Sequence, residues 1–264
     1  MPKAPKINKS KNLPYSRRVP GDVDHLGSYF SILNSVIRKE KEFWFRGHAN
    51  SDWGLTPSAL RYQTKAQRTK ALRLLSDFMR LAEIRIGSPP SPSEKLKWVQ
   101  LAQHYGLPTR LLDWTKNAAI ALYFACCERP DNDGAVLMLN PVDLNREVYP
   151  KRARILDPNQ DARTIHKYLQ LDGSKDNNGL RTVAINPIWN SERIMLQQGV
   201  FTIHGSKDFT LRDEKVASLV QVIIRGKHKT NMLNELETVG INEMAIFPEA
   251  EHVCKYLKWR EQLR

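Results

Sequence analysis

An α+β fold is what this chain predicts, and three features carry the prediction. Long segments with apolar residues at helical spacing are interleaved with short apolar runs of strand length. Their order is irregular, without the βαβ alternation that builds a parallel sheet, and no internal repeat is present. A length of 264 residues, with 41% hydrophobic and 26% charged residues, is enough to bury a substantial core.

The elements follow from local pattern. Val23 to Lys39 reads as a helix because Leu26, Phe30, Leu33, Val36 and Ile37 recur on one side. Phe43 to Phe45 is a buried strand, followed by a polar turn at 48–52, and Ser58 is a credible N-cap for a short helix. Lys65 to Ile86 is a second long helix. Leu72, Leu75, Met79 and Ala82 form its apolar side, with Lys65, Arg68, Lys70, Arg73 and Arg80 off it. Gly87 and the Ser-Pro-Pro-Ser-Pro run at 88–92 break the chain into a loop. The helix Lys95 to Tyr105 then stops at Gly106, a suitable residue for a C′ position. Leu107 to Trp114 turns into a strand, Asn117 to Cys127 is a mostly apolar helix, and the 131–134 turn leads to the strand Ala135 to Leu139. Residues 141–182 are polar and irregular. Strands are expected at Arg193 to Gln197, Val200 to His204 and Ser218 to Ile224, with helices at Lys229 to Val239 and Glu249 to Leu263.

The organisation expected is a basic arm over residues 1–20 and one domain over 21–264. The arm carries Lys3, Lys6, Lys9, Lys11, Arg17 and Arg18 with three prolines and no acidic residue before position 19. Such a segment orders on a phosphate backbone or in a partner's groove. The whole chain has a formal net charge of +13, which points to a polyanionic partner, nucleic acid first. The longest apolar run, Ala118 to Cys127, is too short to cross a bilayer, and the basic N-terminus has no apolar stretch after it. Cys126, Cys127 and Cys254 form neither a disulfide framework nor a zinc pattern, so a reducing, cytoplasmic setting is expected. The histidines are scattered without metal-ligand spacing, and no metal site is expected.

Two segments concentrate the chemistry. Glu42-Phe43-Trp44-Phe45-Arg46-Gly47-His48 delivers a cation and a bare backbone from the end of an aromatic strand. A guanidinium forks onto phosphate, aromatics wall a planar ligand, and a glycine lets the ligand approach. Read blandly, Arg46 is a surface charge and Gly47 a turn. Gln103-His104-Tyr105-Gly106-Leu107-Pro108-Thr109-Arg110-Leu111-Leu112-Asp113-Trp114-Thr115 is the densest polar stretch. Asp113, with apolar neighbours on both sides, is expected to be partly buried and paired with Arg46 or Arg110. Alternatively, Asp113 and Thr115 only cap the helix that begins near Asn117.

FWFRGHANSDWGLTPSAL, QHYGLPTRLLDWTKNAAIALYFAC, ERIMLQQGVFTIHG and GINEMAIFPE, in that order, resemble the FRG domain family, over roughly Glu42 to Glu249. The family is associated with toxin–antitoxin and phage-defence settings and is similar, remotely, to the ADP-ribosyltransferase fold. The resemblance therefore implies a split, mixed β-sheet core with flanking helices, NAD as co-substrate, and transfer of ADP-ribose to an acceptor. It implies that Phe45, Arg46, Gly47, His48, Tyr105, Arg110, Trp114, Thr115 and Phe201 hold NAD. Thr115 stands in the hydroxyl position that opens a helix with a Phe124-Ala125 pair.

The glutamate that such enzymes present from a late strand is where this sequence departs. Glu192 lies at the entrance of the segment expected in that place, and Gln197 and Gln198 bond a ribose hydroxyl without acting as a base. Glu192 supplies the charge, or Asp113 does, or the site binds without turnover. RNA, messenger RNA in single-stranded form stacked on Trp53 or Trp114, is the expected acceptor, and an antitoxin protein the expected partner. The alternatives are a nucleotide- or RNA-binding module without activity, and an NAD glycohydrolase or nuclease.

Overall fold

Short apolar runs from across the sequence assemble into a six-stranded sheet in the computed structural model, which describes residues 19, 22–37, 41–170, 180–205, 210–211 and 219–263. The basic positions Lys3, Lys6, Lys9, Lys11, Arg17 and Arg18 lie outside these residues. The strands are β1 (Trp44–His48), β2 (Leu111–Thr115), β3 (Gly134–Leu139), β4 (Val183–Ile185), β5 (Gly199–Ile203) and β6 (Val220–Ile224). They lie in the order β4-β5-β2-β1-β3-β6.

Every strand pair in this sheet is antiparallel, which corrects the mixed sheet implied by the resemblance. The parallel contact seen is an isolated bridge between Leu156 and Ile185. β2 pairs with β5 along its whole length, and β1 with β3 likewise. Between β1 and β2, by contrast, a single rung joins Phe45 to Thr115. The sheet is two three-stranded halves that meet at one point.

The helices among the described residues are α1 (Leu26–Val36), α2 (Lys65–Ala82), α3 (Lys95–His104), α4 (Ala118–Cys126), α5 (Pro141–Arg146), α6 (Ala162–Leu169), α7 (Glu192–Leu196), α8 (Lys229–Thr238), α9 (Glu243–Ile246) and α10 (Ala250–Arg260). Their ends follow local chemistry. Gly106 adopts φ +83°, and Leu107 and Gly106 donate back to the carbonyls of Ala102 and Gln103, closing α3 with a left-handed cap. Gly240 ends α8 in the same way, at φ +77°. Asn117 caps α4 by accepting from the amides of Ala119 and Ile120.

The pleat sorts side chains between faces. One face carries a cluster that spans both halves, with Trp44, Leu112, Trp114, Leu137, Leu139 and Val200 buried in it. The other face carries two separate clusters. Over β1, β3 and β6, residues Phe45, Val136, Met138 and Val222 pack against Ile120 and Ala121 of α4 and Met232 and Leu236 of α8. Over β2, β4 and β5, residues Leu111, Phe201, Ile203 and Ile185 pack against Leu96 and Val99 of α3 and Ile165 and Tyr168 of α6. The seam between these clusters lies over the single β1–β2 rung.

Two expectations differ from the observed elements, and one strand had no expectation. Arg193 to Gln197, read as a strand, is the helix α7 with its C-cap; five residues are too few to display a helical period. Residues 141–182 are not irregular throughout: Asn140 caps α5 with Pro141 in its first turn, and α6 follows. Residues 171–179 of that stretch lie outside the described residues. The three-residue strand β4, whose ends are set by tertiary pairing with β5, was not foreseen.

Candidate functional site

The seam opens into a cleft of about 270 Å³. β1 supplies Phe45, Arg46 and Gly47, and β2 supplies Asp113, Trp114 and Thr115. Gln100, Gln103 and His104 come from α3, Phe124 from α4, Arg193, Ile194 and Gln197 from α7 and its cap, and Phe201 from β5. Arg46 and Thr115, both implied by the resemblance to hold the same ligand, line one cavity.

Arg46 is held by both strands. Its Nε donates to His48 Nε2 at 3.0 Å and its Nη1 to the main-chain carbonyl of Asp113 at 2.5 Å. The guanidinium therefore bridges the gap next to the single rung. His48 is buried, and its pKa is driven well below the ordinary imidazole value, first by desolvation and then by the charges of Arg46 and Arg61. A neutral ring whose Nε2 accepts from Arg46 carries its proton on Nδ1. His48 lies outside the cleft lining and acts by orienting Arg46.

Asp113 is not buried as the sequence suggested. Its side chain is 60% exposed, because position 113 shares a face with Leu111 and Thr115 and opens onto the seam. Gln103 Nε2 donates to Oδ1 at 2.5 Å, and Arg46 Nη1 lies 3.8 Å from Oδ2. Thr109 Oγ1 in turn donates to Gln103 Oε1 and fixes the amide. The expected pairing with Arg46 is present; Arg110 instead donates to the main-chain carbonyls of His204 and Gly205 and is absent from the lining.

Thr115 has a structural duty. Its hydroxyl donates to the Gln197 carbonyl at 2.7 Å and accepts from the Asn117 amide at 3.0 Å. The Lys116 amide donates to the Gln198 carbonyl at 3.1 Å, so the end of β2 is stapled to the turn after α7. Gln198 sits there at φ +46°, a left-handed conformation unusual for a residue with a Cβ. Helix capping, the alternative reading for Asp113 and Thr115, belongs to Asn117.

Other expected residues fall elsewhere. Glu192 opens α7, exposed and outside the lining, because the segment is helical where a strand was expected. Gln197 lines the cleft, and its Nε2 donates to the Ile246 carbonyl at 3.4 Å. Tyr105 is exposed beside the rings of His104 and Phe78, outside the lining. Trp53 lies under the Arg129 guanidinium, 5.1 Å from the ring centre, away from the cleft. Gly47 is needed for a reason the sequence did not suggest. A Cβ there would meet the Ala121 carbonyl oxygen at 2.0 Å, so the missing side chain admits helix α4.

Gln100, Arg193 and Ile194 carry no expectation as site residues, and Gln103, His104 and Phe124 appear in the sequence reading only as members of longer motifs. The signal available for the two glutamines was their spacing of three on α3, amid Leu96, Val99 and Ala102. Among the lining side chains, Asp113 carries the negative charge, against the guanidinium groups of Arg46 and Arg193. His104 is held below its ordinary pKa by desolvation and by Arg193, so it is neutral at pH 7.

Phe45, Arg46 and Gly47 lie together in β1, on the wall of the cleft. Residues 41–134 match the FRG domain. The matched residues run from the turn before β1 to the first residue of β3, and contain the cleft walls from β1, β2, α3 and α4. The remaining wall of the cleft, from Arg193 to Phe201, lies beyond them. No curated protein and no solved structure matches the chain.

Cys126 and Cys127 are poorly suited as nucleophiles beside the cleft, since burial pushes both thiols up to about 12. Among the described residues, no group of His, Cys, Asp and Glu is arranged to hold a metal ion. No described helix is long and apolar enough to cross a membrane.

Proposed function

We propose that this protein is an NAD-dependent ADP-ribosyltransferase of the toxin or defence type, built on a variant of the ADP-ribosyltransferase fold, and that its acceptor is RNA. One observation carries the reading. A guanidinium and a carboxylate, Arg46 and Asp113, from the two strands that meet at the seam, share a cleft walled by Phe45, Phe124 and Phe201. The two faces of the reaction need these two charges.

The cleft is at the small end of ligand pockets, so it suits a nucleoside-sized group with phosphates toward the rim. Arg46, with Arg193 opposite, would hold a pyrophosphate, and the phenyl rings would enclose the nicotinamide ribose. Bound NAD supplies a glycosidic bond whose breakage releases neutral nicotinamide and leaves positive charge on the ribose carbon. The Asp113 carboxylate, fixed by Gln103, supplies a preorganised negative charge for that developing cation. The acceptor's nucleophile closes on the same carbon and loses its proton to solvent or to a neighbouring base. Asp113 takes over the role considered for Glu192, since Glu192 is outside the lining. The excess of Lys and Arg favours a phosphate backbone as the acceptor's frame.

The test mixes the protein with NAD labelled on the adenylate and with RNA, DNA or lysate protein. Label moving onto RNA is the expected result, lost about 100-fold or more in both Arg46→Ala and Asp113→Asn while thermal melts by circular dichroism stay cooperative. Full transfer by Arg46→Ala removes the assignment of the cleft. Free ADP-ribose without labelled polymer makes the protein a glycohydrolase. A second reading, a nucleotide-binding module without turnover, is favoured by the Thr115 hydroxyl being committed to Gln197 and Asn117. Binding of NAD with neither product identifies that case.

A further inference from the structure

A nucleophile with an N–H or O–H, once bonded to the ribose carbon, must give up a proton. Of the side chains that line the cleft, two can take one up near neutral pH, Asp113 and His104. The glutamines and Thr115 are not bases, and the guanidinium groups of Arg46 and Arg193 stay protonated. Asp113 is committed to the developing cation, and its Oδ1 already accepts from Gln103 Nε2. A carboxylate is also ordinarily the weaker base of the two. His104 has no duty so far. It stands one turn beyond Gln100 and next to Gln103, so the three reach the seam from one side of α3. It makes no hydrogen bond to the described residues, and neither ring nitrogen is sealed from solvent.

Two charged groups face this imidazole from other elements, and the Tyr105 ring packs edge-on at 4.9 Å. Glu249, the N-cap residue of α10, brings its Oε1 to 3.5 Å from His104 Nε2, and Arg193 approaches from α7. Both Glu249 oxygens are buried without a hydrogen-bond partner. They lie among His104, Arg193 at 3.7 Å and His252 at 3.8 Å. A carboxylate so placed favours the imidazolium that His104 becomes on taking a proton. In the neutral ring it favours hydrogen on Nε2, which leaves the lone pair on the other nitrogen. We infer that His104 is the base that takes the acceptor's proton, with Glu249 as the positioning residue behind it. The inference rests on the reading of the cleft as a transferase site. The nucleophile bonds the ribose carbon as the glycosidic electron pair leaves with nicotinamide, and its proton passes to the unprotonated ring nitrogen of His104.

Transfer of adenylate-labelled ADP-ribose to RNA and release of nicotinamide, measured together from pH 5 to pH 8, are the test. In His104→Gln, transfer is expected to fall about 100-fold and release to fall less, since water gives its proton to bulk solvent. The ratio of labelled RNA to released nicotinamide then drops at least about tenfold. Glu249→Gln leaves a weaker base: transfer at pH 7 is expected to fall about tenfold, and the acid limb of its pH profile to move to lower pH. Loss of a merely structural contact lowers the rate without moving that limb. Histidine NMR reads the same shift without NAD. The His104 resonance, assigned by its absence in His104→Gln, is expected to titrate below 6.5 in the wild type and lower still in Glu249→Gln. An unchanged ratio in His104→Gln, or a limb and a resonance that stay in place in Glu249→Gln, overturns the inference and leaves the transferase reading standing. A wild type that releases no nicotinamide removes that reading and the base with it.

Discussion

His48 shows how much one residue does without touching a ligand. Its ring accepts from Arg46 Nε and must stay neutral to do so, and desolvation together with the Arg46 and Arg61 charges keeps it neutral. The linkage has a definite sign. The folded pKa lies below the ordinary value of 6.5, so the unfolded chain binds a proton first as pH falls. The contribution of His48 is complete above that value and is lost as pH drops from it toward the folded pKa, at up to about 1.4 kcal/mol per pH unit. Urea denaturation of the wild type and His48→Gln between pH 7 and pH 5 is expected to show a steeper fall for the wild type. Equal slopes remove the neutral-acceptor role. Arg46 was legible in the sequence because a cation after three aromatics is conspicuous. The support of His48 was not, since a side chain two positions along a strand reveals its hydrogen bond only once the strand exists. Asp113 was misjudged for a related reason: apolar neighbours in sequence point to the opposite face of a strand, and burial at 112 and 114 says nothing of 113.

At the scale of elements, helix α4 and strand β1 form the tightest packing near the cleft. Gly47 lies against the main chain of Ala121 and Ala125, with no room for a methyl group. Gly47→Ala forces the helix off the strand, and a loss of about 2–4 kcal/mol by chemical denaturation is expected, larger than for an exposed substitution. A change below 0.5 kcal/mol would mean that α4 slides freely. The long helices and the central strands were legible because each carries several turns of period or a full run of apolar residues, and glycine stops fixed the ends of α3 and α8. The segment from Glu192 to Leu196 was not legible as a helix. Its conformation is decided by the staple from Thr115 and Lys116 to the carbonyls of Gln197 and Gln198, groups 82 residues apart in the hydroxyl's case.

The whole molecule carries a net charge of +13. Binding of single-stranded RNA is therefore expected to weaken linearly on a plot of log affinity against log salt. Removing residues 1–18, with six basic side chains, is expected to flatten that slope by up to about 4. An unchanged slope assigns the phosphate contacts to residues 19–264. The architecture itself was only partly legible: class and most strands follow from local pattern, but strand order and the thin junction of β1 with β2 depend on pairings across the chain. That junction has a mechanical consequence. Two leaves fastened at one knuckle flex most easily about it, so the line of least stiffness runs through Phe45 and Thr115. Arg46, clasping the opposite leaf one residue further on, is then a latch as well as a charge, and any molecule wedged beside it becomes a strut that sets the angle between the leaves.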